Sequence, residues 1–491
     1  QAATARPARA SGPGPLPWGC SRAPCRGPRS RGFAVELART MGDLVETLSG
    51  LDTAKLQRLV KASGGPSEEL GQLRRLAWAK LLGVLKGDTA EAWVEELQQH
   101  RRQYRDLVGH HNEELDVKKF DASIANPLSR NAANPFLKKQ ANDELLQEIW
   151  KDIERTYPEV PLMQEERSHR AMQQVLFHWC KANNPAKDAS ESYRQGMNEL
   201  VAVLYFAVRR GEFPGAASPA AELCGSIHSE ADTFALFSHL MEAGLRDMFA
   251  VEKGPKKPPS KSPIGELPVP RALAPPERGR PQSAILARCS FIFDVLLKAL
   301  DEPLHRRIQQ HQIEPQIFLL RWLRLLFCRE FHLEDTLLVW DAIFADSFDG
   351  PGLGPLRYAK GGGTVAERAE AASVALPLVD YTAVAMLLFL RRDLITADES
   401  ECLQRLLKFP PAESVRSFTD LAAKLRAGAG SGREGLAASP LAADGLPGPA
   451  GSPTSPSGGS GASAPQATSP VAGGYPAQPP APAPGAGRAP P

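Results

Sequence analysis

Very little in this sequence could hold a metal ion or build a disulfide framework. Its seven cysteines are scattered, and only Cys20 and Cys25 stand close together, in a low-complexity stretch. No Cys-x-x-Cys occurs, and no Cys/His group has the spacing of a zinc site. Thiols spread this way read as buried or incidental residues of a reducing compartment. His110-His111 is an isolated pair in a polar stretch and is expected to be solvated. Long apolar runs are missing as well. A membrane-crossing helix needs roughly twenty apolar residues. The longest runs here, "LVAVLYFAV" and "AVAMLLFL", both stop at Arg-Arg and read as buried helices. Nor is there an excess of one charge. The formal net charge of +2 gives no global reason to bind nucleic acid or an anionic membrane. Neither alternating strand patterns nor an internal repeat appears.

What remains is helical patterning, and enough chain (491 residues) to bury a sizeable core. Residues 1–34 carry Arg6, Arg9, Arg22, Arg26, Arg29 and Arg31 with no acid before Glu36. Such a start can be a transit peptide, but its proline and glycine favour a disordered leader. A helical lead-in covers 35–70, and an all-α, multi-helix domain covers 71–410. A basic, proline-rich insert at about 251–281 and a Gly-rich loop near 350–365 interrupt that domain. Residues 427–491 are Gly, Ala, Pro and Ser and read as a disordered tail.

Four helices matter for function. In "NDELLQEIWKDIERTYPE", Asn142 or Asp143 can cap the start, Pro158 ends the helix, and Leu145, Ile149 and Ile153 form its apolar stripe. The next places Met172, Val175, Leu176 and Trp179 on one face. In "SYRQGMNELVAVLYF" the buried face is Met197, Leu200, Val201 and Leu204. Farther on, "PQIFLLRWLRLLFCREF" reads as one helix with Pro315 at its first position.

On a helical wheel Arg155 falls nearly opposite the Ile149/Ile153 stripe, and Asp152, three residues earlier, is its surface neighbour. Taken alone this is an ordinary surface pair, worth a few tenths of a kcal/mol. Gln195 likewise points away from the buried face of its helix. Gly196 beside it leaves backbone bare for another molecule to approach, and Tyr193 can send its hydroxyl to a polar partner. Together the two outward residues have a chemistry. An arginine fork stabilises charge on a transferring phosphoryl group, and a carboxamide can hold an attacking water in line. Neither needs a shifted pKa.

At these residues the chain resembles a known family. "IWKDIERTYPE" is similar to the Ile-x-x-Asp-x-x-Arg motif of TBC domains, which activate Rab GTPases, and "YRQGMNEL" to their Tyr-x-Gln-Gly-Met-Asn motif, about forty residues on. "RLAWAKLLG" and "LLVWDAIF" resemble the family's supporting segments, and the likeness covers about 74–395. The resemblance implies a GTPase activator that supplies catalytic residues in trans and has no independent catalytic activity. Arg155 would be an arginine finger and Gln195 a glutamine finger. Asp152 would brace Arg155 and Ile149 would anchor its helix, while Tyr193, Gly196, Met197 and Asn198 would shape the loop that presents Gln195. It implies no metal and no cofactor of the chain's own, since GTP and Mg²⁺ belong to the Rab.

Within the family, "NPLSRN", "RTYPEVPLMQ" and "EPQIFLLRWLRLLFCREF" resemble a branch that acts on a late-endosomal Rab and is associated with retromer and autophagy receptors. By that likeness the protein is cytoplasmic and peripherally recruited to endosomal or autophagic membranes. No retromer or receptor contact falls on a residue that can be named here. The alternative from another class is a non-catalytic adaptor that binds a Rab or a coat complex through the same helical surface.

Overall fold

A computed structural model describes residues 68–114, 134–183, 193–213, 219–249, 284–347 and 376–430. The leader, nearly all of the lead-in, the proline-rich insert, the Gly-rich loop and the tail beyond 430 lie outside the described residues. The principal helices are α1 (Glu68–Leu81), α2 (Ala90–Glu114), α3 (Pro135–Glu154), α4 (Glu166–Asn183), α5 (Met197–Arg210), α6 (Ser229–Leu240), α7 (Ala284–Ser290), α8 (Glu302–Gln310), α9 (Gln316–Arg324), α10 (Leu333–Ser347), α11 (Pro377–Phe389), α12 (Glu399–Leu407) and α13 (Arg416–Gly430). Among the described residues no β-strand forms; one isolated bridge joins Phe213 to Gly225.

Helix α5 is the axis of the first half. It packs on α1, α3, α4, α6 and α10. That is why its sequence is apolar all round, not on one face: Ala202, Val203, Tyr205 and Phe206 are buried along with Leu200, Val201 and Leu204. Only its ends reach the surface, at Glu199 in the first turn and at Arg209 and Arg210 in the last. Helix α11 plays the same part in the second half, packed on α9, α10 and α13. Helix α13 sends Phe418, Leu421, Ala422 and Leu425 into the core. The folded body therefore runs past the expected boundary at 410.

Two buried ionic clusters lock distant segments together. Arg74 on α1 donates to both oxygens of Asp341 on α10, Nε to Oδ1 at 3.0 Å and Nη2 to Oδ2 at 2.9 Å, and Trp78 Nε1 donates to the same Oδ1 at 2.7 Å. This fully satisfied carboxylate joins the two supporting segments noted in the sequence. Nearby, Asp232 accepts from Arg75 and from Arg101. Two guanidinium groups on one carboxylate leave a positive charge in surplus. The carbonyl oxygens of Glu222, Leu223 and Cys224 take up the remaining donors, at the negative end of the short helix Pro219–Cys224.

Several expectations from the sequence need correction. Helix α3 begins at Pro135, with Asn134 Oδ1 capping Phe136 N at 3.0 Å, so Asn142 lies buried inside the helix and Asp143 caps nothing. Proline at the first position and asparagine before it make the stronger start. The expected helix from Pro315 starts one residue later and stops at Arg324. Its apolar continuation is a turn instead, because Leu325, Leu326 and Phe327 are drawn to buried positions that a helix could not serve at once. His111 is buried, not solvated. It falls on the inner face of α2, seven residues from buried Tyr104, and its Nδ1 lies 2.8 Å from Nδ1 of His178 on α4.

Candidate functional site

The site starts at the end of α3. Leu145, Ile149 and Ile153 are fully buried and fix the helix's roll, so the opposite face is held at the surface. The helix ends at Glu154, and Arg155 is its C-cap, just past the position the periodicity gave it. Arg155 Nη2 donates to Asp152 Oδ1 at 2.6 Å; the arginine side chain is 60% exposed and the aspartate side chain 11%. One nitrogen is thus committed, and the rest of the fork faces outward. The negative end of the helix also favours a cation there.

The next residues close the helix. Thr156 Oγ1 donates to the Asp152 carbonyl at 2.7 Å, one of the last-turn acceptors that a helix leaves unmatched. Tyr157 then takes φ 46, a left-handed conformation that a tyrosine rarely adopts. The chain reverses there, just before Pro158.

The second half of the site precedes α5. Gln195 and Gly196 form a turn, closed by Met197 N donating to the Arg194 carbonyl at 3.1 Å. Gln195 is exposed, as the wheel implied, but it stands outside the helix. Gly196 has φ 103 and ψ −21, the conformation that the third residue of a type II turn requires. It is buried, and a Cβ there would lie 2.7 Å from Leu325 Cδ2. The expectation that its bare backbone admits another molecule is therefore corrected. The missing side chain makes room for a leucine of the same chain.

Asp152 ties the halves together. Its Oδ1 takes Arg155 and its Oδ2 accepts the Tyr193 hydroxyl at 2.8 Å. Burial, and then the Asp152 acceptor, push the Tyr193 hydroxyl far above its ordinary pKa, so it remains a donor. Asn198 completes the joint. Its Oδ1 accepts from Gly196 N at 3.0 Å and its Nδ2 donates to Thr156 Oγ1 at 2.8 Å. Met197 is buried beneath the turn. Every residue singled out from the sequence thus lies in or beside one small cluster.

Sequence reasoning missed Thr156, Tyr157, Leu325 and the ion pair between Glu199 and Arg329. A threonine directly after the arginine was the one local signal. The other contacts join residues more than a hundred positions apart.

The arrangement presents a fork and a carboxamide from two segments clamped by one carboxylate. Among the described residues no His, Cys, Asp or Glu cluster could bind a metal. The arrangement can stabilise negative charge and orient a polar molecule brought by a partner.

Comparison with known proteins agrees with this fold. The Rab-GTPase-TBC domain family matches residues 71–255 and 277–350, and the chain belongs to that family. It is 31% identical over 357 residues to TBC1 domain family member 5 of Mus musculus, covering 71% of this chain and 39% of that protein. It is 25% identical over 431 residues to TBC1 domain family member 5 homolog B of Dictyostelium discoideum, covering 70% of this chain and 39% of that one. The chain thus spans about two fifths of the length of these relatives. The crystal structure of the Ypt/Rab-GAP domain of Gyp1p shares its fold, with a TM-score of 0.52, 18% identity, and coverage of 82% of this chain and 99% of that domain.

Proposed function

We propose that this chain accelerates GTP hydrolysis on a Rab GTPase by supplying Arg155 and Gln195 in trans. The observation that carries the reading is the Asp152 carboxylate, which binds Arg155 on one oxygen and Tyr193 on the other. An exposed arginine and an exposed glutamine from distant segments are thereby held as one unit. The outward nitrogens of Arg155 meet the charge that spreads over the γ-phosphoryl oxygens as the bond to the leaving group loosens. The Gln195 carboxamide accepts from and donates to the attacking water, setting it in line. Tyr193, Asn198 and Gly196 fix the backbone turn that carries Gln195, which limits the ordering left to its side chain on encounter. GTP and Mg²⁺ arrive with the Rab.

Family resemblance also supports a partner of late-endosomal type, with recruitment to endosomal or autophagic membranes through retromer or autophagy receptors. Among the described residues no helix is long and apolar enough to cross a membrane. The test is single-turnover GTP hydrolysis by a panel of GTP-loaded Rabs, with and without this chain. The reading expects strong acceleration of at least one. Tight binding to a GTP-loaded Rab with no faster hydrolysis would instead make the protein an adaptor.

A further inference from the structure

The segment after α9 should have been helix and is not. Leu326 and Phe327, adjacent and buried, have φ 45 and 65, and neither is a residue that favours left-handed backbone. Two hydrogen bonds hold them there: Trp340 Nε1 donates to the Leu326 carbonyl at 3.0 Å, and Phe327 N to the Trp322 carbonyl at 2.9 Å. Backbone kept in an unfavourable region needs a compensating use nearby.

Three contacts supply that use, and they reach both halves of the site. The Leu325 side chain fills the space over Gly196. The Cys328 carbonyl accepts the Tyr157 hydroxyl at 3.3 Å, two residues beyond Arg155. The Arg329 guanidinium grips Glu199, four residues beyond Gln195, with Nε at 2.9 and 2.8 Å from the two carboxylate oxygens and Nη2 on Oε1 as well. A helix continuing past Arg324 would carry Leu325, Cys328 and Arg329 away in its own rotation. Core packing alone accounts for Leu326 and Phe327. It does not account for Arg329, whose side chain is 45% exposed while its partner Glu199 is 12% exposed.

We propose that Leu325–Arg329 is a positioning brace that sets Arg155 and Gln195 relative to one another, with Arg329 as its grip on the glutamine side and the Cys328 carbonyl as its grip on the arginine side. This rests on the Rab GTPase-activating reading. Arg329 and Tyr157 act through other residues and touch no reacting atom, so their loss should lower the rate at saturation and leave binding alone.

The experiment uses the full chain and whichever Rab it stimulates. Single-turnover hydrolysis is measured over a range of chain concentrations for wild type, Arg329→Ala, Tyr157→Phe and the exchanged pair Glu199→Arg/Arg329→Glu. Misplacement of a positioned group supports an expected loss of about tenfold in maximal rate for Arg329→Ala, with the half-saturating concentration unchanged. Tyr157→Phe should lose less, and the exchanged pair should recover part of the loss. A second readout needs no Rab: hydrogen exchange across 193–199 should quicken in Arg329→Ala while the rest of the chain keeps its protection. An unchanged maximal rate with a raised half-saturating concentration would overturn the proposal by making Arg329 a partner contact, and so would unchanged exchange at 193–199. If wild type accelerates no Rab, the functional reading falls and hydrogen exchange alone decides the brace.

Discussion

Arg155 and Arg74 each hold an aspartate, and they do opposite work. Arg74 and Asp341 are almost sealed, with side chains 7% and 5% exposed. Both carboxylate oxygens and Trp78 are committed, and the pair staples α1 to α10. Arg155 commits one nitrogen to Asp152 and keeps the rest of its fork in solvent. The same two residue types thus make a structural staple when desolvated and a presented charge when only the carboxylate is buried. In the second case the aspartate is the structural residue: it serves the arginine, Tyr193 and, through its carbonyl, Thr156.

The contrast can be broken by substitution. Arg155→Lys should lose on the order of 10³-fold of the stimulated rate, because an ammonium cannot reproduce the planar fork. Its melting temperature should stay near the wild-type value, since the arginine is exposed and a lysine keeps a cation beside Asp152. Arg74→Ala should do the reverse. It strands a buried carboxylate and should cost about 3–5 kcal/mol in urea unfolding, with activity per folded molecule retained. An Arg155→Lys variant that unfolds early, or an Arg74→Ala variant that stays stable, would erase the distinction.

Gly196→Ala probes the turn between these regimes. A φ of 103 and a Cβ 2.7 Å from Leu325 Cδ2 both oppose it. A cost of about 1–3 kcal/mol is expected from the backbone. Adding Leu325→Ala should relieve the contact and leave the backbone cost, which separates the two causes. Tyr193→Phe is smaller. It removes one donor from the buried side of Asp152, worth about 1 kcal/mol of stability, and should lower the stimulated rate by loosening the glutamine turn.

The last effect belongs to α4 and appears only in acid. Burial, and then the neighbouring His111, hold His178 down to about 4 from an ordinary 6.5. A folded-state pKa below the unfolded one means that protonation favours the unfolded chain. This contribution to stability is whole above pH 6.5 and is lost as pH falls from there through about 4. Melting temperatures across that window should drop for wild type, and less steeply for His178→Gln.

The sequence made part of this legible for physical reasons. Helical periodicity depends on local spacing, so the burial of Leu145, Ile149 and Ile153 and the outward face of Arg155 could be read directly. The Asp152–Arg155 contact is local as well. What could not be read depends on distant residues. Gly196 looked like an opening for a partner, because the leucine that needs its space is Leu325. The run Leu325–Cys328 looks helical, because groups that turn it aside, such as the Trp340 indole and the space over Gly196, lie elsewhere in the chain. His111 looked solvated, because its partner lies on another helix. The last helix, α13, has a glycine- and alanine-rich end that blends into the tail's composition.

The most direct test of the central claim is single-turnover GTP hydrolysis by a responsive Rab at a saturating concentration of the chain, comparing wild type, Arg155→Ala, Gln195→Ala and the double variant. Each single change should remove most of the stimulation, and the double should be little worse than Arg155→Ala, because the two side chains act as a unit. Stimulation retained in both single variants would contradict the account.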